Sequence, residues 1–147
     1  MSIVILGVDP SKNSRSVVGI DARGAVVMHR SMRHQTLIDY VMNISACGVA
    51  VEAYRGAHHL GRLFATQGHE IRLMTPDYAR PYVKAQKNDD RDAEGIAEAA
   101  SRSTMRFAAV KSPEQLDLQT LYRVRSRLVG VGNFCRHADQ PLQSLVM

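Results

Sequence analysis

Cysteine is scarce in this chain of 147 residues, and the two that occur, Cys47 and Cys135, form neither a CxxC pair nor a disulfide framework. That usage points to a reducing compartment, so a cytoplasmic protein is expected. Tryptophan is absent, and no apolar run approaches the roughly 20 residues needed to span a bilayer, so no membrane role is expected either. The opening Met1-Ser2-Ile3-Val4-Ile5-Leu6 is apolar, but it lacks a basic start and is soon broken by Asp9, Ser11, Lys12 and Asn13. It reads as a first strand and not as a signal peptide. Internal repeats and low-complexity segments are missing too. The length suits one domain able to bury a core without disulfides or a structural metal.

What is abundant is positive charge. A net charge of +5 and a pI near 9.6 favour an anionic partner, most often nucleic acid. The cations gather as Arg30, Arg33 and His34; Arg55, His58, His59 and Arg62; Arg80, Lys84 and Lys87; and Arg123, Arg125 and Arg127. Each cluster alone is also compatible with a solvated surface.

Hydropathy patterning predicts a buried strand over Ile3 to Val8. Two more strands, Ser16 to Ile20 and Ala25 to His29, flank the hairpin signal Asp21-Ala22-Arg23-Gly24. A helix over about Arg33 to Asn43 precedes a short strand ending at Glu52. A second helix, about Gly56 to Gln67, closes at Gly68, and His69 to Met74 form a fifth strand. From Asp77 to Lys87 the chain is basic, contains Pro81, and suits a short helix or a loop. A third helix runs from Asp89 to about Ser101, with small residues Ala93, Ala97 and Ala100 on one face. Ser112-Pro113-Glu114-Gln115 is a capping box that opens a last helix, expected to stop at Gly130. The order βββαβαβα plus a helix is the α/β, ribonuclease H-like arrangement: a mixed five-stranded sheet covered on both faces. Residues 1–129 are expected to form that domain and 130–147 a loosely docked tail.

Four acids stand where this architecture makes them converge. Asp9 and Glu52 end apolar strands, and Asp89 and Asp92, three residues apart, share one face of a helix start. Oxygen ligands alone suit Mg²⁺ or Mn²⁺ and not zinc, and a divalent pair can hold the attacking and leaving oxygens of a phosphodiester displacement. Asp9 is expected to bridge, Glu52 to hold one ion, and Asp89 and Asp92 to close the other side with help from the helix dipole. Without metal the Asp89/Asp92 pair is expected to sit partly displaced by mutual repulsion. Lys12, Arg55, His59, Lys84, Lys87 and Arg91 are candidates for phosphate contact. Structural roles compete for each acid: a turn or cap for Asp9, a solvated strand end for Glu52, the helix N-cap for Asp89, and a favourable dipole position for Asp92. Adjacent His58 and His59 point about 100° apart on a helix and do not suit one ion.

Several segments resemble the DEDD transposases of the insertion sequence 110 family, which includes the Piv DNA invertases. They are Gly7-Val8-Asp9-Pro10-Ser11-Lys12, Val51-Glu52-Ala53 with Gly56-Ala57-His58-His59, Pro81-Tyr82-Val83-Lys84, Lys87-Asn88-Asp89 with Asp92-Ala93-Glu94, and Met105-Arg106-Phe107 through Lys111-Ser112-Pro113-Glu114-Gln115. The resemblance covers about residues 3–129. It implies a RuvC-like domain whose DEDD acids bind Mg²⁺, falling here on Asp9, Glu52, Asp89 and Asp92, with Asp90 the unmatched neighbour. It also implies DNA as substrate, a family-type guide RNA, and a homodimer or higher oligomer. Family members are more than twice as long, with a helical linker and a carboxy-terminal domain bearing a serine nucleophile. This chain is expected to lack the last two, and so to be a weak or inactive recombinase alone. A standalone RuvC-like endonuclease and a DNA-binding, dimerising remnant are the alternatives.

Where the family continues with a segment like Arg-Thr-Ala-Leu-Ile-Asn-Gln, this chain reads Gly130-Val131-Gly132-Asn133-Phe134-Cys135-Arg136-His137. Codons for Arg136 to Pro141, shifted by one nucleotide, can encode Val-Thr-Leu-Ile-Asn-His. A frameshifted or truncated element is the hypothesis, and the gene's nucleotide sequence checks it: the shifted frame should carry on as transposase, and its failure to do so removes the idea.

Overall fold

The computed structural model describes residues 2–9, 14–75, 77 and 89–138, with the side chains of residues 55, 89–91 and 132–138 outside that description. Two compact units result, Met1–Val110 and Lys111–Met147. The first contains β1 (Ile5–Asp9), β2 (Arg15–Ile20), β3 (Val26–Met32), α1 (His34–Asn43), β4 (Gly48–Glu52), α2 (Arg55–Ala65), β5 (Glu70–Met74) and α3 (Asp89–Ser101); the second contains α4 (Pro113–Ala138).

The strands form one sheet in the order β3-β2-β1-β4-β5. β1, β2 and β3 pair antiparallel, while β4 lies parallel to both β1 and β5. This is the ribonuclease H-like sheet that the element order predicts. The hairpin closes as its residues require: Asp21 Oδ1 accepts from the amides of Arg23 at 2.8 Å and Ala25 at 2.9 Å, and Gly24 takes a left-handed φ of 79° that disfavours a side chain.

Strands β1 and β4 are buried on both faces, as covered central strands must be. One face packs Leu6, Val8, Val17, Val49, Val51 and Leu73 against Leu37 and Val41 of α1 and Leu60 and Phe64 of α2. The other packs Ile5, Val18, Ile20, Ala50 and Met74 against Ala93, Ile96, Ala97 and Ala100 of α3. Buried His69 ties three pieces of the first layer together. Its Nδ1 accepts the Cys47 amide at 3.2 Å, its Nε2 lies 2.9 Å from the Val41 carbonyl oxygen, and its ring meets Phe64 edge-on. Cys47 is a small core residue, as expected, and burial pushes its thiol pKa up.

Helix α4 opens with the capping box read from sequence. The Ser112 amide donates to Gln115 Oε1 at 3.0 Å and the Gln115 amide to Ser112 Oγ at 3.3 Å. The expected stop at Gly130 does not occur, and the helix continues to Ala138. A lone glycine in a helix costs only about 1 kcal/mol relative to alanine, and no left-handed cap forms at Gly130. The rest of the tail, and the basic segment from Asp77 to Lys87 apart from Asp77 itself, lie outside the described residues. Among those described, no helix is long and apolar enough to cross a membrane.

Helix α3 sits unusually low on β1. A Cβ placed on Gly7 would come within 2.4 Å of the Ala93 carbonyl oxygen and 2.8 Å of Ala97 Cβ, and the first of these is backbone that cannot rotate away. Gly7→Ala is therefore expected to destabilise the fold by about 3 kcal/mol, the upper part of the overpacking range, read as a lower urea midpoint. A midpoint equal to the parent would show that the helix can lift without cost.

Candidate functional site

Strand parity decides which acids can meet. Ile5 packs on the α3 face of the sheet and Gly7 meets Ala93 and Ala97 of α3, so Asp9, two residues further, points to that face as well. Ala50 does the same in β4, which assigns Glu52 to the α3 side. Val8 is the register partner of Val51, so Asp9 and Glu52 end adjacent parallel strands, spaced by about 4.8 Å in such sheets. On the other flank of Asp9 stands its antiparallel partner Ser16. Asp9 and Ser16 are buried, at 8% and 2% exposure, while Glu52 is half-buried.

The helix supplies the remaining pair. Its C-terminal half covers Ile20, near the opposite end of the sheet, since Glu98, Ser101 and Arg102 line a cleft with Ile20 and Arg23. Its first turn, starting at Asp89, therefore projects toward the edge at which β1 and β4 end. Asp92 is half-buried there, and the Asp89 side chain is outside the description. Among the described residues no three His, Cys, Asp or Glu side chains are already close enough to hold an ion. The donor set is nonetheless right for a hard divalent cation: carboxylates on one face and one edge, with no thiol or imidazole among them.

Of the expected phosphate contacts, Lys12, Lys84 and Lys87 lie outside the described residues, as do the side chains of Arg55 and Arg91. His59 is exposed on α2 while its neighbour His58 is buried, which agrees with their incompatibility as joint ligands. Arg15, not singled out from sequence, lies on the other face of the same edge. Arg15 opens β2 and alternates with Ser16, so it shares the side of Val17 and the α1/α2 layer. Its Nη2 donates to the Tyr54 hydroxyl at 3.3 Å. His34 begins α1. Only the alternation of Arg15 with the strand's apolar residues hinted at this placement, and its pairing with Tyr54 spans 39 positions.

A family model described as "Transposase", of the IS110-type DEDD class, matches residues 6–133. The "Probable family 20 transposase" of Pseudomonas aeruginosa is 42% identical over 129 residues, covering 88% of this chain and 38% of that protein. The "Transposase for insertion sequence element IS1111A" of Coxiella burnetii is 42% identical over 127 residues, covering 86% and 35%. The chain thus spans little more than a third of the length of these relatives. Among solved structures, T. thermophilus RuvC in complex with a Holliday junction substrate aligns with 66% of this chain and 91% of its own at 13% identity, with a TM-score of 0.49.

Desolvation by burial, then the charges of Arg15 and His59, hold the His34 imidazole below its ordinary pKa. Followed by NMR, His34 should titrate below the free-imidazole value of about 6.5, and Arg15→Gln should move its midpoint up, because a positive neighbour opposing protonation is gone. An unchanged midpoint would place Arg15 too far away to matter.

Proposed function

Because the chain belongs to the IS110-type DEDD transposase family, we propose that it is the amino-terminal, metal-binding catalytic domain of a DNA transposase or site-specific recombinase. The observation that carries this is the placement of Asp9 and Glu52 on one face and one edge of the sheet, with the helix that begins at Asp89 packed on that face. Asp9, Glu52, Asp89 and Asp92 would hold Mg²⁺ or Mn²⁺. Bound there, the ions supply Lewis-acid stabilisation of the charge that develops on phosphodiester oxygens.

The chain's own residues do the positioning. Asp9 is fixed by a central strand between two neighbours. Asp89 and Asp92 ride on a helix start whose dipole favours their ionised forms, so a small movement of that turn can bring them to the strand-borne acids. Lys12, Arg55, His59, Lys84, Lys87 and Arg91 would contact the DNA phosphates and hold the strand across the edge. The domain is taken to extend through residue 129, with 130–147 a divergent tail. Since the relatives are far longer, full strand exchange would need a further domain bearing the serine nucleophile, and this chain alone would cut feebly. DNA, a family-type guide RNA and a second copy are the proposed partners, in the cytoplasm. The second copy is supported by α4, where Leu118, Leu121, Val124, Leu128 and Val131 are exposed at the three-and-four spacing of a helix seam. The same feature, with the net positive charge, favours a DNA-binding, dimerising remnant as the second reading.

Calorimetry with Mn²⁺ tests the metal site directly: the wild-type chain should bind, and Asp9→Asn should weaken binding by tenfold or more, roughly the effect of losing one charged ligand. Slow nicking of supercoiled plasmid should accompany Mn²⁺ and vanish in Asp9→Ala. Cleavage that persists in Asp9→Ala defeats the assignment, and metal binding without cleavage selects the remnant.

A further inference from the structure

We propose that Arg15, His34 and His59, with the Tyr54 hydroxyl, form a phosphodiester-binding site for a nucleic-acid strand on the face of the sheet edge opposite the acids. The ligand class rests on the reading above; the site itself uses no metal.

Three elements supply these groups, β2, α1 and α2 with its N-cap residue: Arg15 bonds Tyr54 at the start of α2, and its partner Met32 ends the strand that leads into α1 at His34. Arg15 is held in place by the strand, with Met32 its register partner. Among the described residues, the guanidinium makes one hydrogen bond, Nη2 to Tyr54, and its Nε is buried with no partner. Buried polar atoms are rarely left so, and the group's remaining donors can serve an external acceptor. Nothing on the neighbouring helix starts neutralises it. Both α1 and α2 begin without a side-chain cap and with no acid in the first turn, the reverse of what helix N-termini favour. Their free amides are themselves anion donors. The positive charge is concentrated enough to act within the cluster, because Arg15 and His59 both oppose protonation of His34. Asp39, the acid of α1, is exposed and engaged with Gln35, and Asp9 and Glu52 belong to the other face. Among the described residues, a guanidinium and two imidazoles are thus built into the fold with no carboxylate on their face of the edge, which suits an anion.

The geometry also fixes which anion suits it. Arg15 follows the same turn region that Asp9 enters, since Asp9 pairs with Ser16. A nucleic-acid strand bent over the edge would meet acids on one side and this cluster on the other. A phosphodiester offers two oxygens to a planar guanidinium and a single negative charge to the imidazoles.

The test is fluorescence anisotropy with a labelled single-stranded DNA of about 20 nucleotides and the RNA of the same sequence, in EDTA, over a series of KCl concentrations. Arg15→Gln should weaken binding roughly tenfold at low salt and reduce the slope of log K against log[salt] by about 0.7, the value for one phosphate contact on a single strand. His59→Gln, an exposed change that leaves folding intact, should weaken binding in the same direction, and Arg15→Lys should restore most of the slope. Equal losses on DNA and RNA assign the contact to the shared backbone; a loss on one alone names the source. Wild-type affinity and slope in both Arg15→Gln and His59→Gln overturn the proposal, and if Arg15→Gln fails to fold, His59→Gln and Arg15→Lys decide. Divalent ions are absent throughout, so a failure of the metal assignment shows in the Mn²⁺ experiment and not here.

Discussion

The contact between α3 and the bare backbone of β1 at Gly7 is the constraint on which the functional edge depends. Because the Ala93 carbonyl and Ala97 occupy the space that a side chain would fill at Gly7, the helix lies close to the sheet and its lateral position over β1 is set. Its other end is held as well, since Arg72 Nη1 donates to the Ala100 carbonyl at 2.6 Å while the same guanidinium grips Glu70 through two bonds at 3.1 Å and 3.0 Å. The middle of α3 is thus seated on Gly7 and its C-terminal turn is tied to β5, which directs its first turn toward the edge where β1 and β4 end. That turn carries Asp89 and Asp92. The packing thus fixes the direction of the helix start that the proposed metal site would use.

The same edge separates opposite charges by the thickness of the sheet. Alternation along β2 sends Ser16 to the side of Asp9 and Arg15 to the side of Tyr54. A one-residue slip of β2 would reverse both assignments, so the register of the first hairpin matters to the chemistry as much as to the core. The register is held by the Asp21 turn, whose carboxylate accepts two amides, and by Val17 on one face with Val18 and Ile20 on the other. Acids on one face of the edge and Arg15 on the other would give a bound polyanion, as proposed above, an orientation as well as a grip.

How much of this was legible in the sequence follows from the range of the interactions. Strand parity, the hairpin turn, the Ser112–Gln115 box and the small-residue face of α3 are local patterns, and each is found where the residues place it. Asp9 and Glu52 could be assigned to one edge because a parallel β1–β4 pair follows from the element order. The Arg15–Tyr54 bond and the His69 link between α1 and β4 could not, since their partners lie 39 and 28 positions apart and nothing periodic connects them. The end of α4 was not legible for a different reason: Gly130 has the residue type of a stop signal, but a glycine caps a helix by taking the left-handed conformation itself, and Gly130 does not take it.

The two units differ in what stabilises them. In Met1–Val110 the core residues of both sheet faces are covered by helices of the same unit. In α4, by contrast, Leu118, Leu121 and Leu128 are each more than 60% exposed among the described residues. A capping box contributes about 1 kcal/mol, while Gly130 and Gly132 together cost about twice that relative to alanine, and helices in proteins owe most of their stability to the packing of an apolar face. The deficit is made up only when the apolar stripe is covered. The ribonuclease H-like unit can therefore be expected to keep its sheet and helices packed unaided, whereas the helix that follows it is the part of the chain that needs company.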